Sequence, residues 1–175
     1  PKLPADTIQE GILEEGMKIL NGSDFSQYEV SAFAKNSTRS SHNHNYWSFG
    51  DYLGIGSGAH GKLTLPSENK VIRTIKPKMP SHYMSQTLNS LTQLKEISAN
   101  ERTIEFLMNA LRLKEGFSQS LFEARTGNEF SVISNKISNL IENGLIEIKV
   151  TEKENFYSAT KKGYRLLNTL LGEFL

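Results

Sequence analysis

The polar and apolar positions at the start of the chain follow first a helical and then an alternating pattern. Between Pro4 and Leu20, apolar residues recur every three or four positions, which predicts one amphipathic helix. Thr7 and Glu10 have the spacing of a capping box that would begin this helix. Asn21-Gly22 tolerates the left-handed conformation that would end it. The run Tyr28–Ala34 alternates and is β-prone, so a helix followed by a strand predicts part of an α/β layer.

The middle of the chain is interrupted by glycine and proline. Lys35–Ser41 is polar and predicts a loop. Tyr52–Gly56 has the character of a short buried strand that brings glycines to its C-terminal end, where ligands bind in parallel α/β sheets. Lys62–Ser81 predicts a strand or a hairpin and then a linker. Ser81–Ile97 predicts a helix, because its apolar residues have helical spacing; they are Met84, Leu88, Leu91 and Leu94.

The last part of the chain predicts a separate module. Ser98 and Glu101 form a second capping box, which opens a strongly apolar helix that Gly116 closes. The elements predicted after it are helices over Ser118–Arg125 and Phe130–Glu142, strands over Leu145–Val150 and Phe156–Ala159, and a final helix over Lys161–Leu175. Three helices, a two-stranded wing and a closing helix are typical of a winged-helix domain.

Composition and charge narrow the function classes. A chain of 175 residues suits one domain, or one and a fraction, and its ordinary apolar content predicts a packed core. No apolar run approaches the ~20 residues of a membrane span. Cys is absent, so the chain holds neither a disulfide nor a thiolate-bound metal or cluster of its own. The first residue is Pro rather than Met, which suggests a piece of a longer protein.

A winged helix invites a nucleic-acid-binding hypothesis, and charge argues against it. From Asn100 to Leu175 there are ten Lys or Arg and ten Asp or Glu residues, whereas phosphate binding needs a basic face. The helix in the recognition position carries only Lys136 as a base. A packing or protein-interaction module is the favoured interpretation, and nucleic acid is not an expected partner.

Candidate chemistry is concentrated between Ser41 and Gly61, which holds three of the four histidines and the single tryptophan. His42 can be a metal or haem ligand, or a hydrogen-bonded loop histidine, and composition alone favours the loop histidine. Tyr46 and Trp47 can stack on a planar ligand or belong to a core. A closed zinc site is not expected, because such a site needs four ligands.

Several ordered motifs resemble those of the oxygen-independent coproporphyrinogen III oxidase-like radical-SAM family. They comprise Tyr28–Ala34, His42–Trp47, Tyr52–Gly61, Leu111–Phe117, Gly144-Leu145 and Thr160–Gly163, and they cover nearly the whole chain. The pattern HNxxYW in the second motif resembles the haem-chaperone branch of the family rather than the true oxidases.

The resemblance implies an α+β fold, in which the C-terminal remnant of a radical-SAM (β/α) partial barrel precedes a winged-helix-like helical domain. Residues 1–75 would end the barrel region, 76–97 would form a linker and helix, and 98–175 the C-terminal domain. The intact protein would hold a [4Fe–4S] cluster and S-adenosylmethionine. The cluster cysteines would lie outside this chain, which would therefore be inactive alone.

The same resemblance implies which residues bind. His42 would be the axial ligand of a haem iron, and Asn43, Tyr46 and Trp47 would complete the haem-contacting segment. A second group would line the barrel-side cofactor cavity, namely Tyr52, Ile55, Gly56 and His60.

Two function classes follow, and HNxxYW favours the first. One is a cytoplasmic haem chaperone that delivers haem to an acceptor protein, which is compatible with a homodimer and with membrane association through the acceptor. The other is an oxidase that decarboxylates the propionates of coproporphyrinogen III, for which Arg39, Lys62 and Arg73 are the nearby basic groups. A winged-helix nucleic-acid-binding regulator ranks third.

Overall fold

The structure is a computed structural model that describes residues 3–85 and 92–175. The elements of its first half are α1 (Asp6–Gly22), β1 (Phe25–Glu29), β2 (Ala32–Lys35), α2 (Ser41–Trp47), β3 (His60–Leu65), a 3₁₀ turn (Pro66–Glu68), β4 (Lys70–Ile75), α3 (Pro80–Ser85) and β5 (Gln93–Ile97). The second half contains α4 (Ala99–Ala110), β6 (Phe117–Ser118), α5 (Gln119–Thr126), α6 (Ser131–Glu142), β7 (Ile146–Val150), β8 (Asn155–Ala159), α7 (Lys161–Arg165) and α8 (Leu167–Gly172). The α+β class is confirmed, and every strand pair of the three sheets is antiparallel.

Helix α1 is present, but its predicted capping box is wrong. The helix begins at Asp6, and Ala5 at its N-cap makes no side-chain cap. The backbone carbonyl of Ala5 accepts hydrogen bonds from the N–H groups of Ile8 and Gln9 instead. No side chain of α1 is buried, so its apolar stripe faces solvent, with Ile12 64% exposed.

The predicted single strand over Tyr28–Ala34 is wrong, because the chain reverses inside it. β1 and β2 pair as an antiparallel hairpin, not as part of a parallel layer. The carboxylate of Glu29 accepts hydrogen bonds from the N–H and the hydroxyl of Ser31, at 3.0 and 2.8 Å, which stabilises the turn. The local side-chain bond therefore offsets the β-propensity of the run.

The glycine-rich middle differs from its prediction. Tyr52–Gly56 is not a buried strand: Tyr52 makes one isolated bridge to Lys62, and Leu53 and Ile55 are largely exposed. A Cβ on Gly54 would lie 2.2 Å from the carbonyl oxygen of His60, so glycine is needed where the loop passes over β3.

The hairpin prediction after this loop is confirmed, while the helix prediction after it is only partly right. β3 and β4 pair in register from His60 opposite Ile75 to Leu65 opposite Lys70. Pro80–Ser85 is helical, but Gln93–Ile97 forms β5 along the free edge of β4. Pairing with that edge overrides the helical spacing of the apolar residues. Leu88 and Leu91 lie outside the described residues.

The winged-helix prediction is confirmed. The order α4–β6–α5–α6–β7–β8 includes a short first strand, β6, and the sheet order is β6-β8-β7. Ser98 and Glu101 form the predicted capping box, and Gly127 ends α5 in the left-handed conformation. The final helix is interrupted: Leu166, with φ −106° and ψ 31°, separates α7 from α8.

One apolar core dominates the described residues, and it belongs mainly to the winged helix. Phe106 lies at its centre, edge-on to Phe117 and Phe122 at 5.2 and 5.3 Å between ring centroids. Phe49 enters this core from the end of α2 with a left-handed backbone, φ 54°. A bulky residue in that conformation is uncommon and is stabilised here by burial. None of the described helices has the length and apolarity to cross a membrane.

Candidate functional site

The HNxxYW residues lie on helix α2, where they divide between two faces. Ser40 caps this helix by accepting a hydrogen bond from the N–H of Asn43 at 3.2 Å. His42 and Tyr46 are one turn apart and both are exposed. Asn43 and Trp47 are also one turn apart and are half-buried. The structure thus presents an imidazole and a phenol to solvent and turns the amide and the indole inward.

The exposed phenol belongs to an aromatic group that reaches the glycine-rich loop. The ring of Tyr46 is edge-on to that of Trp47, with centroids 5.0 Å apart, and is 5.6 Å from that of Tyr52. Arg73 donates a hydrogen bond to the Tyr52 hydroxyl at 3.1 Å and pairs with Glu105. These contacts link the outer face of α2 to β4 and α4.

The indole of Trp47 is covered by a guanidinium group from the winged-helix part. The Cζ atom of Arg112 lies 4.3 Å from the centre of the Trp47 ring, in a cation–π arrangement. Arg112 also faces the buried carboxylate of Glu29 at 3.5 Å. The atoms Trp47 Nε1, Arg112 Nε and Glu29 Oε2 are buried without a hydrogen bond to any described residue.

The backbone of Arg112 is fixed by a tyrosine of α7. The hydroxyl of Tyr164 donates a hydrogen bond to the carbonyl oxygen of Arg112. Burial raises the pKa of Tyr164 well above its ordinary value, so this hydroxyl stays protonated and remains a donor.

A second charged group holds α2 from the same side. Glu115 pairs with Arg39, just before the helix, and its Oε1 lies 2.8 Å from Nε2 of His44. The other ring nitrogen of His44 lies 3.4 Å from the hydroxyl of Ser48. Burial raises the pKa of Glu115, but hydrogen bonds and charges from Arg39 and His44 outweigh it, so the pKa is lowered overall.

The third charged group near the site is a buried lysine. Lys62 is 1% exposed, lies 4.1 Å above the ring of Phe49 and donates a hydrogen bond to Asp51 at 2.9 Å. Burial lowers the pKa of Lys62. Burial acts to raise the pKa of Asp51, but hydrogen bonds from Thr64 and Lys62 lower it overall. The ammonium group of Lys62 is therefore buried and already paired, whereas Asp51 is exposed.

The three bases predicted for an oxidase are therefore all engaged. Arg39 pairs with Glu115, Lys62 with Asp51 and Arg73 with Glu105. A substrate propionate would have to compete with or share a protein carboxylate at each cation.

An open cleft of about 450 Å³ lies between α2 and α5. It is lined by Ser37, Arg39, Ser41, His44, Asn45, Ser48, Leu121 and Arg125. Neither His42 nor Tyr46 is among these residues, so the exposed face of α2 lies outside this cleft.

The residues predicted to line the cofactor cavity lie in the loop between α2 and β3 and at the first position of β3. Tyr52 is half-buried, Ile55 is 85% exposed and His60 is exposed on β3. Gly56 has φ 102°, and its N–H donates a hydrogen bond to the hydroxyl of Tyr83 at 3.3 Å. Their role in cofactor binding stays a prediction.

The donor set of the described residues fits a haem better than a bare metal ion. No group of three or more His, Asp or Glu residues there could hold an ion. Haem iron needs only one axial protein ligand, since the macrocycle supplies four nitrogens. An exposed imidazole on a capped helix, with an aromatic ring one turn away, satisfies that need from one side.

The residues that sequence reasoning missed are the ones that hold α2 in place. Glu29, Arg112 and Glu115 were not singled out as functional, although Arg112 and Glu115 lie inside the motif Leu111–Phe117. The indication of this role in the sequence was a pair of opposite charges, Arg112 and Glu115, at positions i and i+3 of an otherwise structural motif.

The exposed face of α6, the helix in the recognition position, does not resemble a phosphate-binding surface. Lys136 is its one base. The exposed residues of this helix are Ser131, Val132, Asn135, Lys136, Ser138, Asn139 and Glu142.

Comparison with known proteins places these features in context. Residues 97–166 match the HemN C-terminal domain. Over 175 residues, all of this chain, the sequence is 38% identical to the Heme chaperone HemW of Escherichia coli (strain K12) and 39% identical to that of Haemophilus influenzae. The chain spans 44% of the length of each of these relatives.

A solved structure shows the same fold. The coproporphyrinogen III oxidase HemN from Escherichia coli, a radical SAM enzyme, superimposes with a TM-score of 0.62 at 15% sequence identity. The match covers 98% of this chain and 42% of that one. At this identity the likeness concerns the fold alone.

Proposed function

The chain belongs to the family of HemN and HemW proteins, and from this premise we propose that its protein is a haem chaperone that binds haem on helix α2 and passes it to an acceptor protein. The chemistry of a chaperone is reversible binding. It therefore needs an accessible ligand on a defined surface rather than a closed active site.

The observation that carries this proposal is the exposure of His42 and Tyr46 on one face of α2. An axial imidazole must approach the iron along the normal to the macrocycle, so its helix face has to be open. Tyr46 lies one turn further along and offers an aromatic edge to the same ligand. Trp47 supports this face from below through its edge-on contact with Tyr46.

The charge arrangement favours a chaperone over an oxidase. Decarboxylation of coproporphyrinogen III needs cations that grip the propionates while hydrogen is abstracted. The predicted bases Arg39, Lys62 and Arg73 already have carboxylate partners. Carrying haem does not require cations that hold four propionate groups at once.

The rest of the proposal concerns the intact protein. Its [4Fe–4S] cluster would be held by cysteines outside this chain, which contains no Cys, and S-adenosylmethionine would bind at that cluster. Within the chain we keep the division into 1–75, 76–97 and 98–175. Cytoplasmic delivery to a haem-acceptor protein, with peripheral membrane association through that acceptor, completes the proposal, and a homodimer is compatible with it.

The test is a haem titration of the intact protein followed by absorbance. We expect a shifted Soret band that is lost in His42→Ala and retained in the matched control His82→Ala, since His82 lies on α3, another exposed helix. Loss of the band in the control, or its persistence in His42→Ala, would contradict axial ligation by His42.

A second measurement separates the chaperone from the oxidase. The intact protein with a reconstituted cluster is incubated with coproporphyrinogen III, and protoporphyrinogen IX is quantified. We expect no turnover. Product formation at a rate that depends on S-adenosylmethionine would replace the chaperone proposal with the oxidase.

A further inference from the structure

One short segment of the winged-helix part makes a concentrated set of contacts with the helix that carries HNxxYW. Arg112–Glu115 connects the end of α4 to the turn before β6. Its backbone is tied to the β1–β2 hairpin, because Leu113 forms a bridge with Glu29 and the N–H of Lys114 donates to the carbonyl of Tyr28 at 3.0 Å. The hairpin therefore holds the backbone of this segment in place, independently of the contacts that its side chains make with α2.

The two charged side chains at the ends of this segment hold α2 at two different points. Arg112 covers Trp47, the last residue of the helix. Glu115 contacts His44 in the middle of the helix and Arg39 just before it. Two contacts separated along a helix restrict its rotation and tilt as well as its position.

The Arg112 contact has features that stability alone does not favour. The carboxylate of Glu29 beside it is buried. Glu29, Trp47 and Arg112 each leave a buried polar atom without a hydrogen bond to a described residue. Buried ion pairs are frequently less stabilising than apolar groups of the same volume, and in some proteins they fix one specific arrangement instead.

We propose that Arg112 and Glu115 are positioning residues for haem ligation: they set the orientation of helix α2, and therefore the direction in which the His42 imidazole points. This inference rests on the proposed haem binding at His42. Neither residue contacts the ligand in this scheme. The winged-helix domain thus takes part in haem binding through its grip on α2.

In this scheme a winged helix without net charge has a role at α2, which is to hold that helix in place. The segment that grips α2 is continuous with α4, whose residues Phe106, Leu107 and Ala110 lie in the main core. Any displacement of α4 would move Arg112 and Glu115 together. The direction of His42 is therefore coupled to the packing of the C-terminal domain.

The experiment compares haem coordination in Arg112→Ala and Glu115→Ala of the intact protein. Both variants are studied well below their melting temperatures, so that the folded fraction is the same. We expect haem affinity to fall about tenfold, as for other residues that orient a metal ligand indirectly. We also expect the Soret and electron-paramagnetic-resonance spectra to show more than one coordination state. A purely structural role would lower the melting temperature and leave the spectrum of the folded protein unchanged.

Arg165→Gln is the matched control. Arg165 pairs with Glu10 and Glu14 at 3.0 and 2.9 Å, so it also joins the two parts of the chain, but it does not touch α2. Its spectrum and affinity should equal those of the wild type. Arg112→Lys keeps the cation opposite Glu29 and loses the planar stacking on the indole, so it should recover part of the affinity.

The outcomes distinguish this inference from the proposed function. If the wild type binds haem through His42 and both alanine variants give wild-type spectra and affinity, the positioning role is wrong and haem binding stands. If Arg165→Gln perturbs the spectrum as much as Arg112→Ala, the effect is general loosening and the role is equally wrong. If the wild type binds no haem, the proposed function itself fails.

Discussion

The winged-helix domain and the part of the chain before it are stabilised in different ways. In the domain that starts at Ser98, helices and sheet enclose one apolar core that runs from Phe106 to Phe174. Among the described residues before Ser98, only Phe49 joins that core cluster. The earlier part consists of a two-stranded sheet, a three-stranded sheet and helices, and α1 buries no side chain at all.

The difference shows where each region obtains its shape. The C-terminal domain obtains it from local helices and their apolar faces. The N-terminal part is held to it by polar contacts, which include those at Arg73, Arg112, Glu115 and Arg165, and by the insertion of Phe49. We infer that mutations in the C-terminal domain will have large effects on the free energy of unfolding, whereas mutations in the N-terminal part will have large effects on local order.

The largest expected effect is in the domain core. Phe122→Ala removes a fully buried ring and should lower the free energy of unfolding by about 4 kcal/mol, through lost burial and the cavity left behind. Thermal and urea unfolding followed by circular dichroism measure this. Ile12→Ala, on the exposed face of α1, should change stability by less than about 0.5 kcal/mol. Comparable losses in both variants would remove the distinction between the two regions.

An intermediate effect is expected where the regions meet. Arg112→Ala leaves the buried carboxylate of Glu29 without its cation and should cost about 2 kcal/mol. Amide hydrogen exchange should show faster exchange in α2 and in the β1–β2 hairpin than in α4.

The double variant Arg112→Ala/Glu29→Gln provides the control for this junction. A neutral amide does not need the cation, so part of the lost stability should return. Exchange that speeds up uniformly over the whole chain, with no rescue, would show that the two regions unfold as one unit.

The smallest expected effect concerns the helix cap at the boundary. Hydrogen bonds from the backbone and side chain of Ser98, with a contribution from Lys95, lower the pKa of Glu101 from 4.5 to about 2. Since the pKa is lower in the folded state, this contribution is complete above pH 4.5 and is lost as the pH falls towards 2. Carboxyl NMR titration of Glu101 checks the pKa, and a value near 4.5 would contradict the cap. Glu101→Gln should flatten the pH dependence of stability in this window.

The winged helix could be predicted from the sequence because its signals are local. The capping box at Ser98, the glycine stops at Gly127 and Gly144, and the apolar spacing between them are decided within each element. The interruption at Leu166 was missed, since nothing in the composition of the last helix marks it.

The earlier region was less predictable because its conformation depends on partners distant in sequence. Gln93–Ile97 has helical spacing but becomes a strand along β4. Tyr28–Ala34 has strand composition but folds back at the turn that Glu29 stabilises. The first of these outcomes is not visible in a local window, and the second rests on a local hydrogen bond between Ser31 and Glu29 that the alternating pattern does not reveal.

The segment that forms the candidate site could be picked out from the sequence, whereas the residues that support it could not. HNxxYW marked the segment as a haem-contacting candidate, and the roles of its residues stay a prediction. The family that the ordered motifs indicated is confirmed by the comparisons. The helical conformation of that segment and its division into exposed and half-buried faces were not foreseen. Arg112 and Glu115 are distant from α2 in sequence, with a separation of 71 between His44 and Glu115, so the motif that contains them does not reveal their contacts with the helix.

Because Trp47 lies beneath Arg112, its fluorescence reports on the environment of this end of α2. Trp47 is the single tryptophan of the sequence, so its emission comes from one environment. It lies five residues from His42, about 8 Å along the helix axis, a distance at which a bound haem would quench indole fluorescence almost completely. Loss of the guanidinium above the ring would instead shift the emission to longer wavelength as water gains access. Quenching and red shift thus separate arrival of the ligand from loosening of the helix.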